Sequence, residues 1–324
     1  MRTKYNIISI GDATLDTHMK IHDATVVCSL KRDTCQLCLN WADKIPVTRI
    51  DREVAGNAAN NAVGSSRLAL STAFYSVVGD DDVGARIIKK MRHEQVSTEY
   101  LVVQKHSMSN VSVVLNFQEE RTILVYHHPR KYHLPALVPA KWVYLTSLGK
   151  TFAGLHRQVA RYVTRHRVKL AFNPGTHQLR AGLSALRGIL KYTSALFVNK
   201  EEAESLVGAA KNMKTLLGRL RDLGPPMVII TDAERGAFAC RALQCFHTPA
   251  FPMKVIEKTG AGDAFASACI AALCYDRPFD EALRWGAANA AAVIQKIGPQ
   301  AGLLTRQQMN AWLKKFKRIQ TSSI

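Results

Sequence analysis

From about residue 55 onward, short β-rich runs alternate with longer helical patterns, and this alternation constrains the fold more than any other feature of the chain. Strands joined through helices run parallel, and a parallel sheet needs helices on both faces. "YNIISIGD" opens as a buried strand. "NAANNAVGSSRLA" and "VGARIIKKMRHEQ" read as helices, with the strand "STAFYSVVGDD" between them. Further strands are predicted at "KWVYLTSL", "RVKLAFNPG", "SALFVNK" and "PPMVIITDAERGAFAC". Helical patterns at "GLHRQVARYVTRH", "EEAESLVG" and "NMKTLLGRLRDLG" lie between or after them, and three long helices close the chain. The 324 residues are expected to form one domain.

Two stretches break the alternation. Residues 17–50 and about 107–128, including "SNVSVVLNFQEERTILVYHH", carry polar and apolar runs without a helical period. They are predicted to form antiparallel strands that leave the main sheet as a lid, with a hairpin signal at "FQEER". Unpaired lid edges favour a homodimer.

Composition bounds the function. No stretch approaches the roughly 20 apolar residues of a membrane helix, and the N-terminal apolar run is too short for a signal peptide, which predicts a cytosolic protein. Seven cysteines in such a chain are expected as thiols rather than disulfides. Cys35 and Cys38 have ligand spacing, and Cys28 and His22 would complete a zinc site. The second C-x-x-C is missing, so small apolar fillers are the favoured reading of these cysteines. Lys and Arg outnumber Asp and Glu by 44 to 25. The surplus suits anionic partners, nucleotide phosphates among them, but its dispersion along the chain does not single out nucleic acid.

The stretch "EKTGAGDAF" places Gly260, Ala261 and Gly262 where a helix begins, so unpaired amides at its N-terminus are set to bind an anion. Asp263 follows at once and would repel a phosphate held there. The conflict resolves if the carboxylate takes a proton from a substrate hydroxyl while the amides hold the transferring phosphoryl group. The competing local reading makes Asp263 a helix N-cap.

"TGAGDAF" resembles the C-terminal signature of the ribokinase-like, or phosphofructokinase-B-type, carbohydrate kinases. "AGNAANNAVGSSRLAL…YSVVGDDDVG", "LFVNKEEAESL" and "GDATLD" are similar to three further motifs of that family, in the same order. The resemblance implies an α/β three-layer sandwich with a mostly parallel central sheet flanked by helices, plus a small β lid. It implies an ATP- and Mg²⁺-dependent kinase acting on a sugar or sugar-like alcohol, with Asp263 as base and Gly260, Ala261 and Gly262 as the anion hole. Asp12, Asp16, Gly56, Asn57 and Asn60 match positions that hold substrate hydroxyls. Glu202, with Asn199, matches the motif that organises Mg²⁺ through water; the pair also reads as a capping box. Thr231, Gly236 and Asn289 match positions beside the nucleotide. Arg121, on the proposed lid, is a candidate cation for a substrate phosphate or the transferring group, and Arg130 is a second candidate for a phosphorylated acceptor.

The chain departs from the family pattern at Ala55, where a second glycine is common, at Ala233, where a glycine is usual, and at Glu257-Lys258-Thr259, where D-T-T is common. The last change removes the basis for expecting potassium activation. Thr14 and Asn57 loosen any expectation of strict ribose specificity, so a nucleoside kinase is the alternative acceptor class. A basic nucleic-acid-binding protein on an inactive kinase scaffold is the alternative of another class, and an intact base and anion hole argue against it.

Overall fold

The computed structural model describes residues 3–29, 35–118 and 120–324. Among these, nine strands form one sheet. Across it from one edge lie Thr72–Tyr75, Tyr5–Ile10, Ala140–Leu145, Lys169–Phe172, Ala195–Asn199 and Met227–Thr231, all parallel. Ala237–Arg241, Gln244–Thr248 and Ser322–Ser323 extend it antiparallel. The strand-rich segment 225–240 is a hairpin: a single 3-10 turn at Ala233–Arg235 reverses the chain and brings Ala237 opposite Thr231.

The parallel strands are apolar on both faces because each face meets helices. Leu196 and Val198 point to one core with Leu155, Val159 and Leu217, whereas Ala195 and Phe197 point to the other with Phe265, Ala268 and Trp285. That second layer is built around the helix Ala261–Cys274, which is buried almost all round. It packs between the helices Asn57–Arg67 and Phe279–Val293. Its run of alanines lets three helices approach closely. Two helices absent from the sequence reading, Thr176–Arg180 and Gly182–Leu190, cover the opposite face.

The lid is a four-stranded sheet in the order Glu120–Tyr126, Asn110–Phe117, Thr14–Ile21, Val47–Ala55. Its two outer pairings are antiparallel, as expected. Its central pair, Thr14–Ile21 with Asn110–Phe117, runs parallel, which corrects the sequence reading. Both strands leave the body side by side, where Asn110 Nδ2 donates to the Ala13 carbonyl at 3.3 Å, so they share a direction. Of the "FQEER" turn, residue 119 lies outside the described residues.

The cysteines correct a second expectation. Cys28 and Cys35 form a disulfide between two paired antiparallel strands, Thr25–Cys28 and Cys35–Cys38, and Cys240 and Cys245 form another between adjacent strands. Directly paired strand positions bring the thiols within bonding reach, which no spacing rule had indicated. Among the described residues Cys38, Cys269 and Cys274 are free, as expected. The pairing removes Cys28 and Cys35 from any zinc site, and no group of three metal-binding side chains is found among the described residues. No described helix is long and apolar enough to cross a membrane.

Candidate active site

In an open parallel sheet the carboxyl ends of the strands are where loops separate and a ligand crevice forms. Asp12, Ser147, Asn173, Asn199 and Thr231 all stand at or just beyond such ends, and all five line one cavity of about 470 Å³. The lid contributes Asp16, Ser112 and Arg121 to its wall, and the glycine turn at 260–262 forms its floor with Asp263.

Gly260 is the N-cap of the helix Ala261–Cys274 and has φ +78°; a Cβ there would stand 2.5 Å from Pro299. Glycine is therefore required for the turn itself. Gly262 differs, because a Cβ there meets nothing within 4 Å. Asp263 is the third residue of the helix and makes no capping bond, which sets aside the N-cap reading. Its side chain is only 6% exposed and accepts from Asn60 Nδ2 at 2.9 Å. Burial pushes its pKa up to about 7; the Asn60 amide and the Tyr144 hydroxyl work against that rise, and the charge of Glu202 adds to it.

Gly56 caps the helix Asn57–Arg67 with φ +102°, and a Cβ would stand 2.5 Å from the Asp12 carbonyl. This close approach places Asp12 beside Asn57. Asp12 Oδ2 accepts from the Tyr132 hydroxyl at 2.7 Å, while Asp12 Oδ1 and Asp16 Oδ1 are buried without a hydrogen-bond partner. Burial also raises the Asp16 pKa, opposed by hydroxyl bonding from Ser112. Two buried carboxylates with unused acceptor capacity, both lining the cavity, suit a ligand rich in hydroxyl donors. Asn60 lines the same cavity; its Oδ1 accepts from Gln300 Nε2 at 3.0 Å and its Nδ2 donates to Asp263 Oδ2 at 2.9 Å.

At the other end, Asn199 and Glu202 form the reciprocal capping box, each side chain bonded to the other's backbone N–H at 2.8 Å. Both residues also line the cavity, as does Thr231. Burial raises the Glu202 pKa, offset by its bond from the Asn199 amide. Gly236 and Asn289 are not among the lining residues. Gly236, with φ +83°, turns the hairpin after Asp232, where any Cβ would strike the Thr248 carbonyl. Asn289 is fully buried; it donates to the Ala264 carbonyl and accepts from the Leu304 N–H, tying two helices to the segment that follows them. Arg130 is likewise withdrawn from the cavity, buried against Gln104, Ser107 and the Met108 carbonyl.

Arg121 Nη1 lies 3.9 Å from Glu257 Oε1. Glu257 holds the approach to the glycine turn, since its carboxylate accepts from the Thr259 hydroxyl and, at 2.8 Å, from the Gly298 N–H. His127 also lines the cavity, and so does Lys258. Sequence reasoning gave neither a role, because an isolated histidine or lysine carries no spacing signal.

Cavity, glycine turn and lid together define an α/β protein with a cavity lined by polar side chains at the carboxyl ends of its strands. The chain belongs to the pfkB family of carbohydrate kinases, whose sequence profile matches residues 26–306. This places it among phosphotransferases with an alcohol acceptor. It is 26% identical over 271 residues to a ribokinase of Haemophilus influenzae, a match covering 80% of this chain and 87% of that one. Its fold is similar to that of Arabidopsis thaliana ribokinase complexed with ribose and ATP, with TM-score 0.79 and 19% identity over 96% of this chain and 99% of the other. A nucleoside kinase of Burkholderia thailandensis, in complex with inosine, is similar to nearly the same degree, with TM-score 0.76 and 19% identity over 96% and 99% of the two chains.

Proposed function

We propose that the protein transfers the γ-phosphoryl group of Mg-ATP to a hydroxyl of a sugar or nucleoside, with Asp263 as the general base. One observation carries this reading: a buried carboxyl with a pKa near 7 opens onto the same cavity as a glycine turn at a helix N-terminus. A base is most effective when its pKa lies close to the working pH.

The residues present fit the nucleotide and its metal. The first turn of the fourteen-residue helix exposes amide N–H groups, and the open space at Gly262 leaves room for a phosphate against the backbone. Glu202 would hold Mg²⁺ through water, and the metal, when bound, supplies positive charge against the phosphates. Asp12 and Asp16 accept acceptor hydroxyls through their free oxygens and orient the reacting one toward Asp263. Asp263 removes its proton as the oxygen bonds to the γ-phosphorus, the bond from that phosphorus to the β–γ bridging oxygen breaks, and ADP leaves. The amides of residues 260–262 hold charge on the phosphoryl group, and Arg121 on the lid adds a cation. Closure of the lid excludes water, which would otherwise accept the phosphoryl group.

Exposed apolar residues on the lid edges, Ile50 and Leu124 among them, support pairing of two copies through the lid. The experiment that tests the main reading is ADP formation with ribose, fructose, adenosine, inosine and cytidine as acceptors. Turnover on at least one, reduced by about 10²- to 10⁴-fold in Asp263→Asn, is expected. Turnover on an alcohol that persists at the wild-type rate in that variant overturns the assignment of the base.

A further inference from the structure

His127 stands directly after the lid strand Glu120–Tyr126 and is held from two sides. The next residue's N–H donates to Asn110 Oδ1 at 3.0 Å, and the His127 ring meets the edge of His177 with centroids 5.4 Å apart. These contacts turn His127 Nδ1 toward Asp12 Oδ2 at 3.5 Å, a separation at which the two form no hydrogen bond, and Nδ1 is buried without any partner.

Asp12 is equally constrained. Its N–H donates to the Ser147 carbonyl at 2.8 Å, and Oδ2 accepts from Tyr132, whose hydroxyl oxygen in turn accepts from the Gly149 N–H at 2.8 Å. Neither side chain is free to move and close the 3.5 Å gap. One oxygen about 2.8 Å from each atom would complete both. The neighbouring Oδ1 of Asp12 is also unpartnered, and the two oxygens of a carboxylate match the spacing of hydroxyls on adjacent carbons.

We propose that His127 is a specificity-determining residue that seats one acceptor hydroxyl between its Nδ1 and Asp12 Oδ2, while Asp12 Oδ1 accepts the hydroxyl on the adjacent carbon. The acceptor class is thereby narrowed to alcohols carrying a vicinal diol besides the reacting hydroxyl. The inference rests on the kinase reading for the identity of the site, and it concerns selection rather than phosphoryl transfer. A site built to pair with a hydroxyl discriminates strongly against an analogue lacking it, because its polar atoms are then left unpaired.

The test uses the full chain, ATP, and the acceptor pairs ribose with 2-deoxyribose and inosine with 2′-deoxyinosine. Wild type is expected to prefer the diol member of a pair. His127→Ala is expected to raise KM for that member roughly 10- to 100-fold, with KM for ATP unchanged and kcat altered less. It should leave the deoxy member nearly unaffected, so the preference collapses. His127→Asn, which keeps a polar atom near the Nδ1 position, should recover most of the loss, whereas a purely structural role would not be rescued this way. Unchanged preference in His127→Ala overturns the proposal and leaves the kinase reading intact, and so does wild-type turnover confined to alcohols without a vicinal diol. If no alcohol is phosphorylated yet ribose or inosine raises the melting temperature of wild type but not of His127→Ala, the kinase reading fails and the seat stands. If neither turnover nor such a shift is seen, the proposal is overturned as well.

Discussion

Asn60 Nδ2 donates to Asp263 Oδ2 at 2.9 Å, joining the first turns of two helices that lie far apart in sequence. Asn60 is itself anchored through Gln300, whose amide also donates to the Val54 carbonyl. The carboxylate is thus oriented by a chain of amides with no freedom to relax. Asp263→Asn keeps the shape of this pair and removes the proposed proton acceptor. Turnover is expected to fall by about 10²- to 10⁴-fold with ATP affinity retained, measured by steady-state kinetics and by nucleotide titration.

The same bond sets a pH dependence. The Asn60 N–H stabilises the charged form of Asp263, so removing it raises a pKa already pushed up to about 7 by burial. A base must be deprotonated to act, and kcat/KM should rise with pH through that value in wild type. In Asn60→Ala the rising limb is expected to move to higher pH. The variant then loses more activity at pH 6 than at pH 9, and parallel loss at both would show that the bond has no part in the titration.

Gly262 separates stability from function. A Cβ at that position meets open space, and alanine is favoured over glycine inside a helix by about 1 kcal/mol. Gly262→Ala should therefore fold at least as well as wild type by thermal melting. The added methyl stands where the phosphate is proposed to approach the amides, so KM for ATP should rise roughly tenfold or more. Gly260→Ala is the contrasting case, strained by its positive φ and by Pro299, and should lose stability as well.

The parts of this molecule that could be read from sequence are those whose physics is local. Strand and helix periods located the sheet. The capping relation between Asn199 and Glu202 is a four-residue pattern, and it forms as expected. The glycine turn carries its own conformational requirement. Asn289 shows where this ends: its helix position selects a face, but only packing decides that the face meets Ala264 and Leu304 rather than the cavity. The direction of the central lid strands depends on where two distant segments leave the body. The pairing of Cys240 with Cys245 depends on strand register, and the convergence of His127 on Asp12 depends on a ring contact with His177. None of these has a signature within a short window.

Ala233 offers a test of backbone strain. Its φ of +43° lies in the left-handed region, which costs a residue with a Cβ about 1–2 kcal/mol. Its position in the turn between two strands forces this conformation. Ala233→Gly removes the strain and adds freedom to the unfolded chain, which offsets part of the gain. A net stabilisation of about 0.5–1 kcal/mol is expected, read as a higher urea midpoint at unchanged slope.

On the lid strand Thr14–Ile21, His18 is 3% exposed and its ring nitrogens lie 3.8 Å from Glu53 and 4.0 Å from Glu257 without a hydrogen bond to either. Burial, followed by the charges of Glu257, Asp16 and Asp51, pushes the Glu53 pKa from an ordinary 4.5 up to about 7. A carboxyl whose pKa is raised by folding binds its proton more tightly in the native state, so its ionisation opposes folding. The cost is absent below about pH 4.5, grows as pH rises through 7, and is complete above it. Glu53→Gln removes that cost without changing the side chain's shape. The variant is expected to match wild type in stability at pH 4.5 and to exceed it at pH 8.5 by about 1–3 kcal/mol, measured by urea unfolding at both values. A stability difference independent of pH would mean that Glu53 ionises as freely in the folded chain as in the unfolded one.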